Sequence, residues 1–403
     1  MCADRQYGPA RSHLSESRQH VVTATGAVNS PYLSSGSIYF DANTKILTLN
    51  SVNLTITSSY NGITILSDGI TVVCNGQNTI RAMGTAYNAI RLDENSLQDI
   101  KFKGNADGRA ALVLMGGSEK SGLHLNRYCA CTIEHLTIQA SGNWGIDGTN
   151  GTSQETLKLG EGAFLNLSGL TAAMGDMAVF DKLGNDYGVV GSCPGYQDQG
   201  GMFYSSKHEL GFVDNANSQY HTFTSAKVFH KYGLKVGDVA VTSENDNGIH
   251  GTGISGTVWY NSMTHTLVLN GATVNAGSPA IDGRQYYLST LNVEAVNTSR
   301  LASSSGYYDM HFLTHVNLRG TGKLCCQNAI AVAGNIMLTF EGGCHVEANY
   351  LACNNGNADV NVKDAATKVI LSANITGFHG VFFNDGQNFS RPNMGYYDPT
   401  ANT

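Results

Sequence analysis

Apolar residues alternate with polar ones in runs of two or three, and a turn signal follows each run. Leu47 and Leu49 form one inward pair, and Val52, Leu54 and Ile56 form the next. Ile63 and Ile65 follow, then Ile70, Val72 and Cys74. Spacing of two is that of a strand with one buried face. The gaps hold Asn50, Ser58-Ser59, Asn61-Gly62, Asp68-Gly69 and Asn75-Gly76. Asn and Asp before Gly tolerate positive φ and turn the chain sharply. The pattern returns in the second half with Leu291/Val293/Ala295, Val316/Leu318, Ile336/Leu338/Phe340 and Val369/Leu371. No stretch shows a convincing helical period. Short inward series between sharp corners predict the faces of an all-β coil, whose turns bond to those above and below. An Asn-Gly between apolar runs is also the strongest hairpin signal, so an antiparallel sandwich is the competing fold.

The chain repeats itself. SGSIYFDANTKILTLNSVNLT (35–55) aligns without a gap to SGTVWYNSMTHTLVLNGATVN (255–275), an offset of 220. Asn88-Ala89-Ile90 recurs as Asn328-Ala329-Ile330, and Gly142-Asn143-Trp144-Gly145-Ile146 is echoed by Gly377-Phe378-His379-Gly380-Val381. Self-similarity at long period is the signature of repeat architecture. The expected organisation is therefore two tandem right-handed parallel β-helix units from an internal duplication. They span 21–179 and 232–395, behind a disordered tail over 1–20, and an aromatic-rich connector (180–231) joins them. In and beside the connector, ten of residues 180–232 are aromatic, against 9% over the whole chain.

Composition narrows the functions. Charged residues make up 14% and the net charge is −7, with no Lys/Arg stripe to neutralise phosphates, so nucleic acid is not the expected partner. No apolar run is long enough to span a bilayer. The nine cysteines lack zinc spacing and read mostly as small buried residues, with a Cys344–Cys353 disulfide as the alternative. Residues 1–20 hold no apolar leader as they stand. Cys2 sits where a bacterial surface lipoprotein carries its lipid after its leader is trimmed, so lipidation at Cys2 competes with an ordinary chain start.

Candidate chemistry is sparse. The densest acidic stretch, Asp93, Glu94, Asp99 and Asp107, lies among Arg91, Lys101, Lys103 and Arg109. A solvated mixed-charge loop is the plain reading; a Ca²⁺ site on Asp93, Glu94 and Asp99 is the sharper one. His208, His221 and His230 match no ligand spacing. The connector offers Tyr196, Phe203, Tyr204 and Tyr220, whose rings suit either sugar stacking or packing between two solenoids.

YGLKVGDVAVTSENDNGI (232–249), the strand pair after it and GITVVCNGQNTI (69–80) resemble a repeat of secreted β-helix proteins from anaerobic gut bacteria. Val236-Gly237, Val241-Thr242, Thr264, Leu267 and Leu269 carry the match. The resemblance, to the pectate-lyase-like right-handed parallel β-helix superfamily, covers about two thirds of the chain and rests on structural motifs. Hydrolases of this superfamily use an Asp-Asp pair and a Gly-His-Gly. The chain has no Asp-Asp, and Gly377-Phe378-His379-Gly380 is one residue too long. The resemblance therefore implies a non-catalytic, monomeric secreted or surface protein that binds polysaccharide or host glycan, or acts as an adhesin. A polysaccharide lyase or hydrolase and a purely structural spacer are the alternatives.

Overall fold

The computed structural model describes residues 22–93, 99–105, 109–151, 154–182, 186–306, 308–383 and 388–390. Every regular element among them is a strand. They wind into a right-handed parallel β-solenoid of about 12 turns.

The strand Ile46–Ile56 shows how sequence makes a corner. Leu49 points inward, Ser51 takes a positive φ of 47°, and Val52, Leu54 and Ile56 then point inward on a new face. The fully buried Asn78 of the next turn secures the bend: its Oδ1 accepts the Val52 N–H at 2.9 Å. Asn50 and Asn75 stack outside the same corner, joined at 2.6 Å.

Three parallel faces follow. The first runs from 46–50 through Thr71–Asn75, Ile100–Gly104, Ala130–Glu134 and Thr156–Leu159 to Val179–Lys182. The second runs from 53–56 through Gln77–Ala82, Ala111–Met115 and 137–142 to 164–169. The third runs through Ile63–Ile65, Ile90–Leu92, Ser121–Leu125, 144–147 and 172–175. Their inward residues form one hydrophobic column. A second column is built the same way from Tyr232 onward, its first face running from 266–269 to Gly380–Phe383.

Each column opens on an antiparallel hairpin, Leu33–Asp41 with Ile46–Ile56 and Ile254–Asn261 with Thr266–Ala276. The aligned segments 35–55 and 255–275 are thus hairpins whose second strand becomes the first turn, where the sequence alone favoured coil faces throughout. They agree in detail. Ile38 pairs with Leu49 as Val258 pairs with Leu269, and both ladders slip at the glycine of Ser35/Ser37 and Ser255/Thr257. Gly36 and Gly256 have φ of 82° and 79°, Lys45 and His265 of 55° and 50°. The fully buried Ser299 receives the Ala272 N–H at 3.1 Å, the role of Asn78. The third echo fails: Trp144 and Ile146 lie on the third face, whereas Gly380 and Val381 lie on the first.

The columns meet in one strand. Ser225–Val236 alternates without interruption, with Ala226 and Val228 in the first core and Tyr232, Leu234 and Val236 in the second. Its first half pairs antiparallel with 164–168 and with Tyr187–Cys193, closing the second face. Its far end pairs antiparallel with Ile281–Gly283.

Polar groups fill the seam between the cores. His230 is buried; its Nδ1 accepts the Gly162 N–H at 3.2 Å, its Nε2 meets the Tyr287 hydroxyl, and its ring stacks on Tyr187. Burial, then the neighbouring His135, pushes the His230 imidazole down to about 4. His265 faces Glu161 at 3.3 Å. The Tyr232 hydroxyl donates to the buried Asp246 at 2.9 Å, and burial pushes that carboxyl up to about 7. Chemically the seam is a packed hydrogen-bonded joint.

Candidate functional site

Two surfaces carry chemistry. The first is the outer row of the third face. Parallel register places Arg91, His124, Asp147 and Gly175 opposite one another on four successive strands, and neighbouring strands lie about 4.8 Å apart. His124 Nδ1 is 2.8 Å from Asp147 Oδ1. An ionised carboxylate can only accept, so Nδ1 carries the proton. Asp176, one residue past Gly175, reaches solvent. Its carboxyl is held above the usual range by burial and by the charge of Asp147, with His208 opposing. His208 arrives from the connector: its carbonyl accepts the Met177 N–H at 3.2 Å, and its ring lies against Gly151.

Two glycines make this arrangement. A Cβ at Gly175 would stand 2.7 Å from Trp144 Cδ1 and Nε1, so the bare backbone is what lets the half-buried indole lie against this strand. A Cβ at Gly148 would stand 2.2 Å from both Glu155 Oε1 and the Asp176 carbonyl. Glu155 is fully buried; Oε1 accepts the Thr149 N–H at 3.2 Å, and Oε2 has no partner.

The second surface is an open cleft of about 450 Å³ between Tyr187–Cys193 and the three-stranded sheet Met202–Tyr204, Glu209–Val213, Tyr220–Thr222. Gly188, Gly200 and Gly201 leave stretches of bare backbone; Tyr204, Phe212 and Phe229 supply rings, and Lys231 and Asn215 supply polar groups.

The structure divides the aromatic candidates. Tyr204 lines the cleft and meets Tyr220 edge-on at 4.9 Å, with Lys207 Nζ 5.9 Å over the Tyr220 ring. Tyr196 instead packs on Phe212 and His221 and donates to Asp214 at 3.0 Å. Phe203 packs against Phe180 on the first core. His208, His221 and His230 occupy three separate environments.

Asp93 pairs with Arg91 and takes the Asn126 amide, and Asp99 stands at φ 58° just before the strand Ile100–Gly104. Glu94, Asp107 and Cys2 lie outside the described residues. Among the described residues no three His, Cys, Asp or Glu side chains converge in a metal-holding group. The eight described cysteines form no disulfide. Cys344 donates to the Leu318 carbonyl and Cys353 to that of Gly356, so the Cys344–Cys353 disulfide is absent. Among the described residues no helix is long and apolar enough to cross a membrane.

Fold and surfaces together define a parallel β-solenoid protein with an aromatic cleft in its connector. No protein-family model, no curated protein and no solved structure matches the chain.

Proposed function

We propose that the protein is a β-solenoid that binds an acidic polysaccharide in the connector cleft and is displayed outside a bacterial cell. The cleft carries this reading. Sugar rings present flat C–H faces that stack on aromatic rings, and Tyr204 and Phe229 offer such rings beside glycine backbone. Lys231 places a cation at the same opening, the complement of a uronate carboxylate. Kinship with the pectate-lyase-like proteins of gut bacteria, and anchoring through Cys2, belong to this proposal. Wet, shallow sites of this kind bind through a few ring contacts and charge-assisted hydrogen bonds.

The test is a glycan array of uronate-rich polymers followed by calorimetry. Tyr204→Ala and Lys231→Ala should each weaken binding at least tenfold at unchanged Tm, and added salt should weaken the wild type further. Binding to no acidic polymer would refute the reading. A large Tm drop in Tyr204→Ala with affinity retained would assign that ring to packing.

A further inference from the structure

One strand serves both the cleft and the seam behind it. Ser225–Val236 alternates, so Phe229 and Lys231 face the cleft while the buried His230 points into the seam. Tyr187, opposite His230 in register, lines the cleft and stacks on the His230 ring at 5.0 Å and 14°. The loop 160–162 clamps both rings. The Gly160 carbonyl accepts the Tyr187 hydroxyl, and the Gly162 N–H donates to His230 Nδ1 at 3.2 Å. A Cβ at Gly188 would stand 2.6 Å from the Phe229 ring and 2.9 Å from Lys231 Cε, so both cleft side chains lie across the residue next to Tyr187. We propose that the cleft is released by acid: a proton taken up at His230 Nδ1 breaks this clamp, and the bound polysaccharide leaves. This release rests on the binding reading and is the regulation of that same cleft.

The hydrogen bonds set the chemistry. A neutral imidazole has one acceptor and one donor nitrogen. Nδ1 accepts from Gly162, so the ring proton sits on Nε2, toward the Tyr287 hydroxyl. A second proton would set two N–H groups against each other across 3.2 Å. The bonded partners of the ring are neutral, and a buried cation without a counter-charge is driven toward water. To reach water the ring has to leave Tyr187, which is a wall of the cleft. His135, bonded to Ser262 Oγ at 2.9 Å, opposes the proton with a like charge, and is itself acted on by Glu134, His265 and Lys103. Glu161 faces His265 across 3.3 Å, Asp246 is occupied by the Tyr232 hydroxyl, and Asp186 gives its carbonyl to the Lys231 N–H. The phenols of Tyr187, Tyr232 and Tyr287 are pushed up by burial and stay protonated. Burial and His135 together hold His230 down to about 4. Protons therefore compete with ligand: affinity is full above that value and is lost as pH falls through it.

Binding of polygalacturonate, alginate, hyaluronan and heparin to the full chain is measured by calorimetry from pH 6 to 3.5. Heparin, whose sulfates stay ionised, separates titration of the protein from titration of a uronate. With binding confined to neutral His230, affinity should fall about fourfold over that range. His230→Gln, which keeps an acceptor for Gly162, should hold its affinity constant. His135→Gln should move the fall to higher pH by removing the neighbouring charge. In the free protein, long-range proton–nitrogen NMR should show His230 Nδ1 unprotonated at pH 6. The Gly188 and Lys231 amide signals should move with the same midpoint as the ring. A flat wild-type affinity, an undiminished fall in His230→Gln, a proton on Nδ1 at pH 6, or cleft amides that ignore the His230 titration overturns the proposal. If His230→Gln fails to fold, the wild-type spectra decide. Binding at pH 6 without pH dependence removes the release and leaves the cleft reading standing. No binding of any polymer at any pH removes the cleft reading, and cleft amides that follow His230 then keep the switch.

Discussion

Replacing Asp246 by Asn should make the protein's stability fall as pH drops below 6.5, where Asp246 and His230 together leave the wild type nearly flat. The seam holds two buried groups whose effects oppose each other. Asp246 titrates at about 7 in the fold against 3.8 as a free side chain. The native state therefore holds a proton that the unfolded chain releases, and stability is fully present below the lower value and lost as pH rises through the upper one. One pH unit in that window is about 1.4 kcal/mol, so charging Asp246 costs the fold about 4 kcal/mol. His230 works the other way: its value falls from 6.5 to about 4. The unfolded chain takes up a proton that the fold refuses, and stability is lost as pH falls from 6.5, by about 3 kcal/mol. In the wild type the two slopes largely cancel. Asp246→Asn keeps an acceptor for the Tyr232 hydroxyl and removes the charge. Urea midpoints at pH 4.5, 6 and 8 should show the variant gaining about 3 kcal/mol on the wild type across the range. The variant's own stability should fall below pH 6.5. A variant-minus-wild-type difference that stays constant with pH would refute the assignment of a neutral Asp246.

Asn78→Ala leaves the buried Val52 N–H without its acceptor and should cost about 1–3 kcal/mol in denaturant unfolding; Asn78→Ser, the residue used at the matching Ser299 corner, should recover part of it, and a neutral Asn78→Ala would show the corner to be held by packing alone. Among the described cysteines, a thiol reagent should modify Cys325 and Cys353 in the native protein. It should reach Cys74, Cys129, Cys131, Cys193, Cys326 and Cys344 only after unfolding, since burial both shields these thiols and, for Cys74, pushes the group up to about 12. Mass spectrometry of labelled peptides checks it, and rapid native labelling of Cys74 would contradict the buried column.

The solenoid was legible because an alternating side-chain pattern and Asn or Gly corners are local facts. Inward positions such as Val52, Leu54, Ile56, Val72 and Cys74 lie where the spacing puts them. The hairpins at 35–55 and 255–275 were not, because alternation looks the same whether the neighbouring strand runs parallel or antiparallel. Alternation from Ala226 to Val236 is visible in SAKVFHKYGLKV, and the boundary at 231/232, drawn where YGLKVGDVAV reads as an opening strand, falls inside that one strand. The row of Arg91, His124 and Asp147 was missed for a different reason. Its members are 33 and 23 residues apart, and only the unequal lengths of successive turns bring them together. Stacking the chain by its corner residues rather than by motif would have exposed it. The connector was recognisable by its rings, but which ring faces water depends on pairings such as Tyr196 with Asp214 that composition does not encode.

Because Ser225–Val236 lends its inward side chains to both columns, neither half owns it. Ending a shortened chain before that strand would strip the closing partner from 164–168, and starting one after it would remove Tyr232, Leu234 and Val236 from the other interior. The two coils are spliced rather than strung together, so heating should melt them in one concerted step and a cell would have to synthesise the whole chain to obtain either part.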